Sequence, residues 1–182
     1  LYANLRISFL LLQGEDNGVY DLTQLLEQPD PLFLMLENLQ DPGNLGTMIR
    51  TGEGAGITGV IMNNQTVDIF NPKTIRATMG SIFRVPFVYV PDLAPVLEQM
   101  HAKGIHTYAA HLKGQEYYDS FSFREPTAFL IGNEGNGLSK EISDQAGQYL
   151  KIPMEGRVES LNASIAAALL MYEAHRQRSA RL

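Results

Sequence analysis

Glu134 lies in the stretch FLIGNEGNGLSKE, residues 129–141, among Gly132, Gly135 and Gly137. Glycine-rich turns between a strand and a helix usually bring backbone N–H groups together around a phosphate, because no Cβ obstructs the approach. A carboxylate at the centre of such a turn opposes that use. Either Glu134 spoils a phosphate site or the turn serves another ligand. Two further stretches pair polar side chains with loop and helix signals. In NLQDPGNLGTMIRTGEGAG, residues 38–56, a Pro-Gly turn leads into a helix bearing Asn44 and Arg50. In IPMEGRVESLNASIAAALLMYE, residues 152–173, a strand end and a glycine-containing loop deliver Ser160 and Asn162 to the last helix. Asn and Ser are favoured helix caps, so Asn44, Ser160 and Asn162 also read as plain helix starters, and Arg50 as a solvent-facing cation. At about 100° per residue, side chains six positions apart point about 120° apart on one helix. Asn44 and Arg50 therefore share a site only if Asn44 lies in the turn.

The elements that would position these residues alternate. β-rich runs at 32–36, 59–62, 86–90, 105–110, 127–132 and 149–152 are separated by helical patterns near 44–55, 72–80, 92–103 and 138–146, with a long last helix over 160–178. Runs apolar on both faces indicate a mostly parallel sheet covered by helices on both sides, an α/β fold. On the last helix Leu161, Ile165, Ala168, Leu169 and Tyr172 fall on one apolar face. Ala163, Ala166, Ala167 and Ala168 let another helix approach closely, either in the core or from a second subunit. Arg176, Arg178 and Arg181 suit the negative end of that helix. Residues 1–30, with the turn cluster QGEDNG and a proline-bounded end, read as a linker or the remnant of an upstream domain, and residues 31–182 as the single folded domain.

Composition excludes several classes. With 45% hydrophobic and 19% charged residues, the 182-residue chain is ordinary globular material for one domain. It has no cysteine, which removes disulfides and thiolate metal sites and points to a reducing, cytoplasmic setting. The apolar run at 7–12 is too short to cross a bilayer, so no membrane association is expected. A net charge of −6 argues against coating nucleic acid non-specifically. Lys73, Arg76, Arg84, Lys151 and Arg157 read either as a local basic lip or as scattered solvated charges, and weak RNA affinity is expected. His101, His106, His111 and His175 show no metal-ligand spacing and read as surface or packing residues, so no metal is expected. GAGITG, residues 54–59, matches a dinucleotide-binding pattern, but a helix precedes it and a strand follows, the reverse of what that pattern needs.

Together the three stretches resemble the SpoU (TrmH-like) family of RNA ribose 2′-O-methyltransferases, of the SPOUT superfamily. DPGNLGTMIRT is similar to its motif 1, LIGNEGNGLS to motif 2 and IPMEGRVESLNASIA to motif 3, in the family's order, with NPKTIRATMGSIFRVPFV similar to the intervening segment. The resemblance covers roughly residues 30–180. It departs from the family at Gly52 and Gly54, where alanine is common and where glycine loosens the helix by up to about 1 kcal/mol each. The resemblance implies an α/β sheet with a deep C-terminal trefoil knot, S-adenosylmethionine as cofactor, and structured RNA as substrate. Ribosomal RNA is the expected substrate. Transfer RNA, or a non-catalytic RNA-binding or assembly module of the same fold, is the alternative. It implies a homodimer with the active site at the subunit interface and Arg50 serving the partner's cofactor. By the same resemblance, Asn44, Arg50, Glu134, Ser160 and Asn162 carry the reaction, and Leu130, Gly132, Asn133, Gly135, Ile152, Met154, Leu161 and Ala163 hold the cofactor. A sulfonium cofactor makes Glu134 electrostatically tolerable in its glycine turn. For Arg50, either its charge stabilises a developing alkoxide, or an unusual environment permits transient deprotonation.

Overall fold

Three largely apolar runs form the central parallel strands because they have almost no polar face to expose. The computed structural model describes residues 20–179. In chain order the elements are α1 (Leu22–Leu26), β1 (Leu32–Leu36), α2 (Pro42–Ala55), β2 (Gly59–Asn63), α3 (Pro72–Thr78), β3 (Phe87–Val90), α4 (Ala94–Ala102), β4 (His106–Ala110), β5 (Thr127–Ile131), α5 (Lys140–Gln145), β6 (Gln148–Leu150) and α6 (Ala163–Ser179). All pairings are parallel, in the order β3-β2-β1-β5-β4-β6. β1, β2 and β5 are buried along their whole lengths.

Alternation along each strand splits the core in two. Leu34, Met62 and Phe129 face α2 and α6 through Leu45, Met48, Leu170 and Met171. Phe33, Ile61, Ala128 and Leu130 face α4 through Val96, Leu97 and Met100. Chain order runs outward from β1 to β2 and β3, then returns on the other side through β4, β5 and β6. Between β1 and β5 the direction of winding reverses, and in open parallel sheets ligands bind outside the strand C-termini at such a point. Leu36 and Ile131, the last residues of β1 and β5, are paired there.

Several boundaries differ from the expectations. α2 begins at Pro42 because Asp41 caps it, its carboxylate accepting from Asn44 N at 2.7 Å. β6 covers Gln148–Leu150, one residue early, and Lys151 forms only an isolated bridge to Tyr117. α6 begins at Ala163 because Asn162, not Ser160, bonds its first turn. Its buried face is Ser164, Ala167, Leu170, Met171, Ala174 and Gln177, whereas Ile165, Leu169 and Tyr172 of the predicted apolar stripe are exposed. Arg178 staples the helix end to the sheet, donating to the carbonyls of Asp30, Phe123 and Glu125 at 2.8 Å. Of the segment expected to be a linker, residues 20–30 pack on the sheet through buried Leu25 and Leu26, and residues 1–19 lie outside the described residues, as does Arg181. Among the described residues no helix is long and apolar enough to cross a membrane.

The glycines of GAGITG have structural uses. Gly56 ends α2 in the left-handed region at φ 77°, where a residue with a Cβ is disfavoured. The pattern closes a helix rather than opening one, so no dinucleotide loop exists there.

Candidate functional site

Three segments far apart in sequence meet where β1 and β5 end. After β5, Asn133 and Gly137 exchange two backbone hydrogen bonds, 3.0 and 2.8 Å, and the Asn133 side chain accepts from Gly135 N and Asn136 N. The loop is therefore closed on itself. Its root is Gly132, where a Cβ would collide with the backbone of Gly137 and Leu138. The Asn133 amide donates to Asn38 O at 2.9 Å, joining the loop to the end of β1.

This arrangement aims Glu134 at the start of α2. Its carboxylate accepts from Gln40 N at 3.0 Å, Asp41 N at 2.9 Å and the Asn44 side-chain amide at 3.1 Å. Asn44 Oδ1 in turn accepts from Asn162 Nδ2 at 3.0 Å. Asn162 Oδ1 accepts from Ser164 N and Oγ and from Ile165 N, so its orientation is fixed by the helix it caps. Glu134, Asn44 and Asn162 thus form one continuous link across all three segments. Asn44 lies inside α2, not in the turn, and does not cap that helix.

Burial alone would raise the pKa of Glu134, but the donors at Gln40 N, Asp41 N and Asn44 outweigh it and hold the carboxyl below its ordinary 4.5. A depressed carboxylate stabilises the fold at pH above its unfolded value, and that contribution is lost as pH falls through the folded value. The gap in melting temperature between the wild type and Glu134→Gln should accordingly be open at pH 7 and close as pH drops below 4.5. A gap that persists undiminished at acid pH would show that these donors do not set the Glu134 charge.

Beside the link is a cleft of about 260 Å³ at the C-terminal ends of β4, β5 and β6, near the lower end of small-ligand sites at about 300–1,000 Å³. Gly132, Asn133, Gly135, Ile152, Met154, Leu161 and Ala163 line it, together with Glu134 and Ser160. Leu130 does not. Its side chain is fully buried in the core toward α4, because β5 alternates and Ile131, with the residues after it, reaches the cleft instead. The sequence reading missed the wall formed by Ala110 at the end of β4, by His111 and Leu112 after it, and by Leu150 and Lys151. The signal was present, since residues directly after a parallel strand fall at the ligand end of the sheet. His111 is held there by stacking on Tyr149 and by accepting at Nδ1 from Lys113 N at 3.0 Å.

Arg50 is the one predicted polar residue that the chain does not bring to this cluster. It is exposed on α2 and forms no hydrogen bond or ion pair among the described residues. The cause is helical geometry: with Asn44 inside α2, six residues of rotation turn Arg50 about 120° away. No group of three or more potential metal ligands is present among the described residues.

The profile of the SpoU rRNA Methylase family matches residues 31–172. The chain is 38% identical over 139 residues to the 23S rRNA (guanosine(2553)-2'-O)-methyltransferase RlmP of Bacillus subtilis, covering 76% of this chain and 56% of that protein. It is 37% identical over 168 residues to an uncharacterized tRNA/rRNA methyltransferase of Synechocystis, covering 90% of this chain and 61% of that one. It thus spans about three-fifths of the length of these relatives. Its fold superposes on the SpoU methyltransferase AviRb of Streptomyces viridochromogenes in complex with AdoMet, with a TM-score of 0.81 and 34% identity over 87% of this chain and 62% of that one. Three motif segments joined at the sheet's switch point, and a match across most of the chain, have one meaning: the chain belongs to the SpoU rRNA methylase family.

Proposed function

We propose that this chain is the methyl-transfer domain of an S-adenosylmethionine-dependent RNA 2′-O-methyltransferase, acting on a ribose of ribosomal RNA. The observation that carries this reading is the Glu134–Asn44–Asn162 link beside the cleft. It joins the three motif segments and fixes their polar side chains by hydrogen bonds, which suits a reaction that depends on positioning. The names of RlmP and of the AdoMet-bound AviRb support ribose methylation and the cofactor respectively.

The cleft fits that cofactor. Ile152, Met154 and Leu161 supply apolar walls, the Gly132 turn allows close backbone approach, and Glu134 and Glu159 place negative charge where a sulfonium is welcome and a polyphosphate is not. When bound, the cofactor supplies an electrophilic methyl group. The chain's own residues do the rest: Glu134, fixed by three donors, holds Asn44 and Asn162 in one orientation, and Ser160 borders the opening. The Arg50 guanidinium stabilises negative charge developing on the 2′-oxygen.

Because Arg50 points away from its own cleft, we propose that it acts in the cleft of a second copy. The exposed Ile165, Leu169 and Tyr172 of α6 are the apolar surface that such a homodimer would cover. A trefoil knot belongs to the same proposal. It is supported by how closely the end of β6 passes the segment after β4: a Cβ on Gly114 would lie 2.8 Å from Leu150 C and 3.0 Å from Lys151 N. A cytoplasmic location goes with it.

The test is methylation of unmodified ribosomal RNA transcripts, with 2′-O-methylated nucleosides identified by mass spectrometry after digestion. Methyl groups found on bases, or on transfer RNA alone, would overturn the ribose or ribosomal assignment. For the shared site, Arg50→Ala and Glu134→Gln chains should each keep no more than about a hundredth of wild-type activity. Mixed and allowed to exchange, they should regain about a quarter of wild-type activity, because half the dimers are hybrids with one intact site each. No recovery on mixing would place Arg50 in the cleft of its own chain.

A further inference from the structure

Glu134 is held by two backbone donors, Gln40 N at 3.0 Å and Asp41 N at 2.9 Å. Backbone donors stay in place only if something holds the turn that carries them. Residues 37–41 belong to no helix or strand, so that work falls to side chains. The turn opens at Asn38, whose φ of 54° lies in the left-handed region, which asparagine adopts more readily than most residues.

Asn63, the buried last residue of β2, fixes Asn38 from both sides. Its Oδ1 accepts from Asn38 N and from Thr66 Oγ1, each at 2.9 Å, and its Nδ2 donates to Asn38 Oδ1 at 2.8 Å. A backbone N–H can only donate, which settles the orientation of both amides. The Asn38 carbonyl then receives Gln40 Nε2 at 3.0 Å and Asn133 Nδ2 at 2.9 Å. Gln40 Nε2 also donates to Gln65 O at 2.8 Å. Asn38 is thereby joined to β2, to the residue bearing one Glu134 donor, and to the loop bearing Glu134 itself. Gln40 is exposed, so water would satisfy its amide equally well. Spanning two carbonyls instead costs it side-chain freedom and gives the turn a fixed shape.

We propose that Asn63, Asn38 and Gln40 are positioning residues for the reaction: they line no part of the cofactor cleft and act by holding the two N–H groups that orient Glu134. The inference rests on the methyltransferase reading above. It adds to that reading a control on the rate of methyl transfer from the end of β2, outside all three motif segments.

Gln40→Met tests it at an exposed site, keeping the length of the side chain while removing both of its donors. Its kcat for RNA methylation should fall about tenfold, with KM for S-adenosylmethionine within about threefold of wild type. Burial would raise the Glu134 carboxyl, and the Gln40 and Asp41 N–H groups help to hold it below 4.5. In Gln40→Met it should titrate higher, as read by carbon-detected NMR. The Asn38–Asn63 pair is tested by complementarity. Asn38→Asp still accepts from Asn63 Nδ2, and Asn63→Asp still accepts from Asn38 N and Thr66 once the Asn38 amide turns over. Each single variant should keep kcat within about threefold, whereas Asn38→Asp/Asn63→Asp sets carboxylate against carboxylate and should lose about a hundredfold, well beyond the product of the single losses. If melting curves show the double variant unfolded, Gln40→Met decides alone. Unchanged kcat in Gln40→Met, or a fall in kcat with Glu134 titrating as in the wild type, would overturn the proposal. So would a folded double variant no worse than the product of the singles. A wild type that methylates no RNA while Gln40→Met still raises the Glu134 titration would instead count against the methyltransferase reading, with the hold on Glu134 confirmed.

Discussion

Gly132→Ala will abolish S-adenosylmethionine binding, raising its Kd at least about a hundredfold, roughly 2.7 kcal/mol. The added Cβ would fall on the backbone of Gly137 and Leu138, not on the end of a flexible side chain, so the loop itself has to move. Movement there breaks the paired Asn133–Gly137 bonds and the Asn133 contact to Asn38. Every ligand-facing group of the turn is displaced with it. Overpacking of this kind also costs about 1–3 kcal/mol of stability. The melting point should fall by a few degrees while the fold survives, because β5 ends before the insertion. A Kd within about threefold of wild type, measured by calorimetry, would show that the glycine turn is not the cofactor cradle.

Glu134→Gln will lower methyl transfer about a hundredfold, a larger loss than it causes in cofactor affinity. The carboxylate accepts from two backbone N–H groups and the Asn44 amide, and a glutamine must turn its own NH₂ toward one of those donors. One donor then faces another, the link to Asn44 loosens, and Asn44 no longer holds Asn162. Displacement of positioning groups by about 1 Å is enough for a hundredfold loss. Single-turnover methylation checks this directly. Unchanged turnover would mean that the link is only structural.

Much of the scaffold was legible because the residues left no choice. LFLML is apolar at every position and TAFLI at every position after Thr127, which marks strands buried on both faces and a parallel sheet. The polar residues of the three motifs were legible as types with loop and cap signals. Their meeting was not, because the Asn44–Asn162 bond joins residues 118 positions apart and depends on a strand order that no local pattern encodes. The last helix misled for a different reason. Alanines make it small and apolar around much of its surface, so periodicity found the stripe of Ile165, Leu169 and Tyr172 and not the buried one of Ala167, Leu170 and Met171. The resemblance implies Leu130 for the cofactor, whereas strand alternation turns its side chain to the opposite face. His111, set aside as a surface residue, stands on the cleft wall because β4 ends there.

The central claim is that the cleft at the switch point binds S-adenosylmethionine. Calorimetric titration of the folded chain with that cofactor, with NAD as the control, tests it most directly, since neither RNA nor any further segment takes part. Saturable binding of S-adenosylmethionine alone is expected, lost in Gly132→Ala. No binding by a sample shown to be folded and dimeric, or binding of NAD alone, would contradict it.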